Sequence, residues 1–214
     1  MLNAWIQTYT GKKFFPLAAR PADVDIRDIA HALAMKCRFN GHCRVFYSVA
    51  EHSIRVSRAL AACQAVTGCH GFVYSQDHAV DSPTTTSPSH PPVTPPTLAI
   101  WGLMHDAAEA YLADIGGPIK RAFHVHYGGL PEPFDMTETR LLAVIAAALQ
   151  FPPVQYEHVR EADFTLLATE ARDLMSTPPE PWNLKQTPLP EKIIPLSPAA
   201  AESAFLARFA ELTA

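Results

Sequence analysis

Within five residues, the run His105-Asp106-Ala107-Ala108-Glu109 offers an imidazole and two carboxylates. Upstream stands Val49-Ala50-Glu51-His52-Ser53, and downstream Asp163 is set among apolar neighbours. Neutral imidazoles and carboxylates are ligands suited to zinc, manganese, iron, cobalt or nickel, and two of each leave coordination positions for water and substrate. His52, His105, Asp106 and Asp163 are therefore the expected ligands of one divalent ion, and the chemistry expected is metal-dependent hydrolysis.

Helical spacing carries this expectation. Residues three and four apart share a helix face, so Asp163 lies on a stripe with Val159, Leu166, Leu167 and Glu170. An unpaired carboxylate there is costly and needs a compensating partner. His52 shares its face with Val49, Val56 and Ala59, and His105 with Leu98, Trp101, Ala108 and Leu112, which repeats the anomaly twice. Taken singly, each residue has a plainer explanation. A core histidine can be satisfied by a carbonyl, and Arg55 or Arg38 could pair with Asp163. Their joint occurrence, with Glu109 one turn beyond His105, favours the metal.

The elements that must position these groups read as helices. Val24, Ile26, Ile29, Ala30, Leu33 and Ala34 follow Pro21 at three- and four-residue steps, with Asp23 or Asp25 as N-cap. A second helix is expected from about Ser48 to Val66, with Val49, Val56, Ala59, Leu60 and Cys63 inward. A third, central and buried, is expected from Leu98 to Leu112. Thr137 is expected to cap a fourth, a fifth spans about Val154 to Met175, and Ser197-Pro198 opens a last one. Strands are scarce, apart from a short hairpin around Trp5 to Leu17.

Two stretches break the helical pattern. Residues 68–97 fill with Pro, Ser, Thr and His and carry too little apolar surface to offset their ordering entropy, so they read as an insertion between helices two and three. The histidines of this insertion, His70, His78 and His90, are expected to face solvent. Residues 176–195 are also proline-rich but keep Trp182, Leu184, Leu189, Ile193 and Ile194, and they read as an ordered strap on the bundle. Residues 1–214 are thus expected to form a single all-α domain.

Composition narrows the partners. A formal net charge of −4 excludes a broad polyanion-coating face, so no stable nucleic-acid binding is expected. No apolar run of spanning length and no leader-like start is present, so the chain reads as cytoplasmic and away from membranes. Cys37, Cys43, Cys63 and Cys69 lack zinc-knuckle or thioredoxin-like spacing and read as small half-buried residues. A zinc clip of Cys37, His42 and Cys43 would want a fourth ligand.

The ordered set His52, His105-Asp106, Asp163 resembles the H…HD…D signature of the HD-domain metal-dependent phosphohydrolases, an all-helical superfamily. VAEHS followed by HDAAEAYLADIGGPIK is similar, more narrowly, to bacterial 5'-deoxynucleotidases and to phage deoxynucleotide triphosphohydrolases, including those acting on dATP. The resemblance runs from about Asp23 to Met175 outside the insertion. It implies an HD-type helical bundle in a bacterial cell or phage-infected host, and a homo-oligomer. It also implies a divalent metal (Mn, Co, Zn, Fe, Ni or Mg) held by His52, His105, Asp106 and Asp163. Glu109 then matches the catalytic glutamate that handles the proton of the attacking water or of the leaving oxygen. Asp114, before Ile115-Gly116-Gly117-Pro118, matches an aspartate near the sugar. Arg38 and Phe39, in CRFNGH, stand where similar enzymes hold phosphate and nucleoside, with Phe39 in place of the tryptophan of some relatives. Arg38 suits phosphate because its planar fork donates two hydrogen bonds.

Two further residues could reach the substrate. His42 lies in a glycine-containing turn within range of a phosphate, and Lys120 follows Pro118 at the start of a helix, where ammonium and helix terminus would act together on an anion. The expected activity is hydrolysis of a deoxynucleotide phosphate ester, by a triphosphohydrolase or a 5'-deoxynucleotidase. The alternatives are a non-catalytic nucleotide-binding regulator and a structural zinc protein. The regulator could lose Glu109 without penalty, and the zinc protein would give Arg38, Glu109 and Asp114 no shared purpose.

Overall fold

A computed structural model describes residues 4–67, 95–127, 129–152 and 157–214. The insertion up to residue 94, with Cys69, His70, His78 and His90, lies outside the described residues, as does the side chain of Cys63. The protein is mainly helical, with seven α-helices and two small hairpins among the described residues.

Local caps set most helix starts. Asp25 Oδ1 accepts the Arg27 N–H at 3.0 Å and opens α1 (Ile26–Ala34). The other expected cap, Asp23, instead pairs with Arg20 at 2.8 Å. Ser48 Oγ accepts the Glu51 N–H at 3.1 Å at the head of α2 (Val49–Thr67). Ser197 Oγ accepts the Ala200 N–H at 3.3 Å ahead of Pro198, opening α7 (Pro198–Thr213) as the sequence predicts.

Three boundaries differ from expectation. The third helix, α3, runs Pro95–Met104, not Leu98 to Leu112. It begins with residues assigned to the insertion, because proline is tolerated in the first helical turn. It stops at His105, where Asp106 leaves helical geometry (φ −99°, ψ 11°) and a 3₁₀ turn, Ala107–Ala110, takes over. After Ala113, at φ 136°, comes only a single helical turn, α4 (Gly117–Lys120). Thr137 is no N-cap, since α5 (Phe134–Leu149) begins earlier and the Thr137 hydroxyl donates to Glu132. An unanticipated hairpin, β3 (His124–Tyr127) with β4 (Leu130–Pro133), runs straight into α5 and makes Pro133 its cap. The expected N-terminal hairpin is present as β1 (Ile6–Gln7) and β2 (Lys13–Phe14), with Ile6 opposite Phe14.

The core is built around α2 and α3, with α7 and α6 (Glu157–Leu174) packed on both. Ile29, Leu33, Val56, Leu103, Ile145 and Phe205 are fully enclosed in it. Gly102 permits the closest approach: a Cβ there would stand 2.9 Å from the Ser57 Cα and N and 2.7 Å from Leu60 Cδ1. The α2–α3 spacing therefore depends on that missing methyl.

Residues 176–195 form the expected strap, pinned by side chains of the bundle. Thr169 Oγ1 accepts the Leu189 N–H and Asp173 Oδ2 the Ile193 N–H, both at 2.9 Å, and Glu51 Oε2 accepts the following Leu196 N–H at 2.7 Å. Ile193 is buried with Tyr47 and Leu174, whereas Trp182 and Ile194 point outward. Among the described residues no helix is long and apolar enough to cross a membrane.

Candidate metal centre

Three elements deliver the ionisable groups to one point. α2 presents His52, the turn after α3 presents His105 and Asp106, and α6 presents Asp163. The donor atoms of His52, His105 and Asp106 all lie within 4.8 Å of one another, and these residues could hold a metal ion. His52 Nε2 is 3.3 Å from His105 Nε2, and His105 Nε2 is 3.2 Å from Asp106 Oδ2. Asp163, the fourth expected ligand, falls outside that group of three, with Oδ1 3.0 Å from His52 Nε2 and 4.0 Å from His105 Nε2. Neither Arg55 nor Arg38 takes the salt bridge that would have explained Asp163 alone. Arg55 pairs with Glu51 at 2.7 Å, and Arg38 lies against Glu170 and Asp106.

Whether these residues fit a metal is decided by the far side of each ring. His105 Nδ1 donates to the Gly102 carbonyl at 2.9 Å, and His52 Nδ1 faces Glu170 Oε1 at 2.6 Å. A neutral imidazole has one N–H, so if both rings are neutral, with that proton on Nδ1, the two Nε2 lone pairs face each other. Two acceptors 3.3 Å apart repel unless a cation lies between them, and outer hydrogen bonds of this kind orient metal-ligating histidines.

The electrostatics agree. Burial and Arg38 push His52 down, yet Glu170 and Asp163 outweigh them and lift its pKa to about 9. Burial also opposes charge on His105, but Asp106 and Asp163 carry it upward. Asp106 goes the other way: despite burial, His105, His52 and Arg38 hold it well below the usual carboxylate range. The pocket attracts positive charge, which either protons or a divalent ion could supply.

Glu109 lies deep beside the cluster, 6% exposed. It does not sit one α-helical turn from His105 as expected, because the helix has already ended. The 3₁₀ turn places it, through a Glu109 N–H to Asp106 carbonyl bond of 2.9 Å. Its Oε2 is buried without a hydrogen-bond partner among the described residues, and Oε1 is 3.9 Å from Lys120 Nζ. Burial, then Asp106 and Asp114, raise its pKa well above the ordinary value against the pull of Lys120 and Arg38. A carboxyl of this kind holds a proton and can give it up to a ligand group.

The predicted substrate residues divide into two groups. Arg38 and Asp114 belong to the electrostatic neighbourhood of the cluster. Arg38 is 12% exposed at its side chain, with Nη1 3.5 Å from Asp106 Oδ2. Asp114 does not end a helix but lies in the extended segment after Ala113. Burial, with Asp106, raises its pKa over the opposing pull of Arg38 and Lys120. Phe39 follows Arg38 in a left-handed turn (φ 56°) and faces the Trp182 ring at 6.1 Å.

His42 and Lys120 depart from expectation. The His42 side chain is exposed, and no hydrogen bond or ion pair among the described residues links it to the cluster. Lys120 ends rather than begins its one-turn helix, and its ammonium lies 2.8 Å from Glu138 Oε1. It serves neighbouring carboxylates first, because α5 brings Glu138 beside it. Cys37 and Cys43 are free and half-buried, with sulfurs 3.4 Å apart. Burial and Cys37 push the Cys43 thiol up to about 11, which suits a small packed residue better than a thiolate ligand.

Sequence reasoning gave no role to Lys36 or Glu170. Lys36 Nζ donates to the carbonyls of Glu109 and Ala110 and so anchors the 3₁₀ turn. Nothing in the sequence signals that long-range tie. Glu170 had a signal: it lies two helical turns after Asp163 on the same apolar stripe, where a second buried carboxylate needs a partner.

No protein-family model matches the chain. It is similar to the uncharacterized protein RCAP_rcc00048 of Rhodobacter capsulatus, 27% identical over 164 residues, 76% of this chain and 66% of that protein. To the uncharacterized protein YfdR of Escherichia coli (strain K12) it is 33% identical over 213 residues, 98% of this chain and 96% of that protein. With identity at that level along almost the whole of both chains, the protein belongs to the same family as YfdR.

Proposed function

We propose that the protein is an HD-type phosphohydrolase that cleaves a phosphate ester of a deoxynucleotide. The observation that carries the reading is the meeting of two imidazole Nε2 atoms and two aspartates beside a buried, unsatisfied glutamate. His52, His105, Asp106 and Asp163 would hold a divalent transition metal, with Mn, Co, Zn, Fe and Ni all matching the donor set. When bound, such an ion supplies Lewis-acid activation of solvent and neutralisation of phosphoryl charge.

The other roles fall to the chain's own residues. Glu109, buried, holds a proton and exchanges it with water or the leaving oxygen. Arg38, kept charged by Glu170 and Asp106, donates from its planar fork to phosphate oxygens. Phe39, against Trp182, offers an aromatic face to the nucleoside. Asp114 would accept from a sugar hydroxyl.

A monophosphate cleaved at its one phosphorus yields nucleoside and phosphate. A triphosphate cleaved at the alpha phosphorus yields nucleoside and triphosphate. Incubating the metal-loaded protein with each dNMP and dNTP, and identifying the inorganic product, distinguishes these outcomes and names the base. No turnover of any deoxynucleotide, with nucleotide still bound, would instead favour a regulator on the same scaffold. Subunit number, proposed to exceed one, is read by light scattering.

A further inference from the structure

Glu170 is fully buried, and a carboxylate there needs strong partners to be tolerated. Besides the nearby Tyr47 hydroxyl, it has two of different kinds. Oε1 is 2.6 Å from His52 Nδ1, and Oε2 is 3.2 Å from Arg38 Nε. Asp163 meets the same imidazole on its opposite nitrogen, 3.0 Å from Nε2. Since Asp163 and Glu170 both lie on α6, that helix grips both edges of the His52 ring.

We infer that Glu170 is a positioning residue that ties the metal ligand His52 to the phosphate-facing Arg38 through one carboxylate. The Arg38 half of this inference rests on the phosphohydrolase reading, whereas the His52 half needs only metal binding. With its Nδ1 proton committed to Glu170, the His52 nitrogen left to face a metal is Nε2, whose proton the metal would displace. The Arg38–Glu170 contact is an ion pair, with neither Nε nor Oε2 hydrogen-bonded, so it holds the guanidinium beside the carboxylate by charge and leaves N–H donors of the fork for a ligand. A ligand that pulls on Arg38 therefore also pulls, through Glu170, on the orientation of His52. The simpler alternative, a counter-ion for Arg38 alone, gives no reason for the 2.6 Å contact to His52.

Glu170→Gln tests the inference with little change of volume, because a neutral amide gives up the ion pair to Arg38 and offers the His52 Nδ1–H a weaker acceptor. Cobalt(II) titration of metal-stripped wild type and variant, followed by the visible absorption of the bound ion, reads metal affinity without turnover. Removing an outer partner of a ligating histidine typically lowers affinity about 10- to 100-fold, and that range is expected for Glu170→Gln. Arg38→Met should keep cobalt affinity within about threefold of wild type, because the Glu170–His52 contact survives, while the KM for the deoxynucleotide hydrolysed by wild type rises about tenfold or more.

Equal cobalt affinity in wild type and Glu170→Gln overturns the inference and leaves the hydrolase reading standing. Weakened cobalt binding in Glu170→Gln, in a wild type that hydrolyses no deoxynucleotide, sinks that reading while supporting the His52 tie. Wild type that takes up no cobalt overturns both. Circular dichroism of each variant confirms that the comparison is between folded proteins.

Discussion

Gly102→Ala tests how far the centre depends on helix packing. A methyl at this position would face the Ser57 backbone at 2.9 Å, where Cα and N cannot rotate aside as Leu60 Cδ1 can. Ordinary carbon contacts lie at about 3.5–4.0 Å, so α3 must retreat from α2 by roughly 0.6 Å or more. Overpacking of this sort costs about 1–3 kcal/mol. Replacing a helical glycine by alanine, here in the last turn of α3, returns up to about 1 kcal/mol through backbone propensity. The net expectation is a loss of about 1 kcal/mol, or a Tm lowered by about 2–4 °C in a chain of this size.

The same movement reaches the site. The Gly102 carbonyl accepts from His105 Nδ1 at 2.9 Å, and Ser57 lies little more than one turn after His52 on α2. Parting the helices therefore parts the two Nε2 atoms, now 3.3 Å apart, and metal affinity falls together with stability. Urea unfolding and a manganese(II) titration on the purified variant read the two effects. A variant more stable than wild type by the full propensity gain, with unchanged metal affinity, would refute the packing argument.

Other consequences are as direct. Manganese(II) at a hundred times its Kd should stabilise the fold by about 2.7 kcal/mol, a gain that His105→Ala should erase in a thermal melt. Glu109→Gln should cut turnover by about 10²- to 10⁴-fold while metal stays bound; wild-type kcat would remove Glu109 from the chemistry. In metal-free protein the raised Glu109 pKa means the folded state binds more protons than the unfolded chain. Its contribution is then fully present below the unfolded pKa and lost as pH rises through the folded one, so Glu109→Gln should raise Tm more at pH 8 than at pH 4. Glu51→Ala strips Arg55 and the Leu196 N–H of a buried acceptor and should cost about 1–3 kcal/mol by urea unfolding; no change would show that the strap holds without it.

Much of this arrangement was legible before any coordinates. Periodicity placed α1, α2, α6 and α7, with Ser197 fixing the start of α7 and the choice of Asp23 or Asp25 bracketing that of α1, because helix faces and first-turn N–H groups answer to nearby residues. That His52, His105, Asp106 and Asp163 need partners was legible for the same reason: a charged or polar side chain on an apolar stripe has to be compensated. The sequence did not reveal that α3 breaks at Met104. In an unbroken helix His105 and Asp106 would point about 100° apart, yet both reach the same point because the chain leaves α-geometry between them. The Glu170 bridge, the Lys36 anchor and the capture of Lys120 by Glu138 join residues 118, 73 and 18 positions apart. Periodicity reports which way a side chain faces within its own element. Which distant group it meets is settled only when the helices pack, since the cost of burying each charge depends on the partner that packing brings to it.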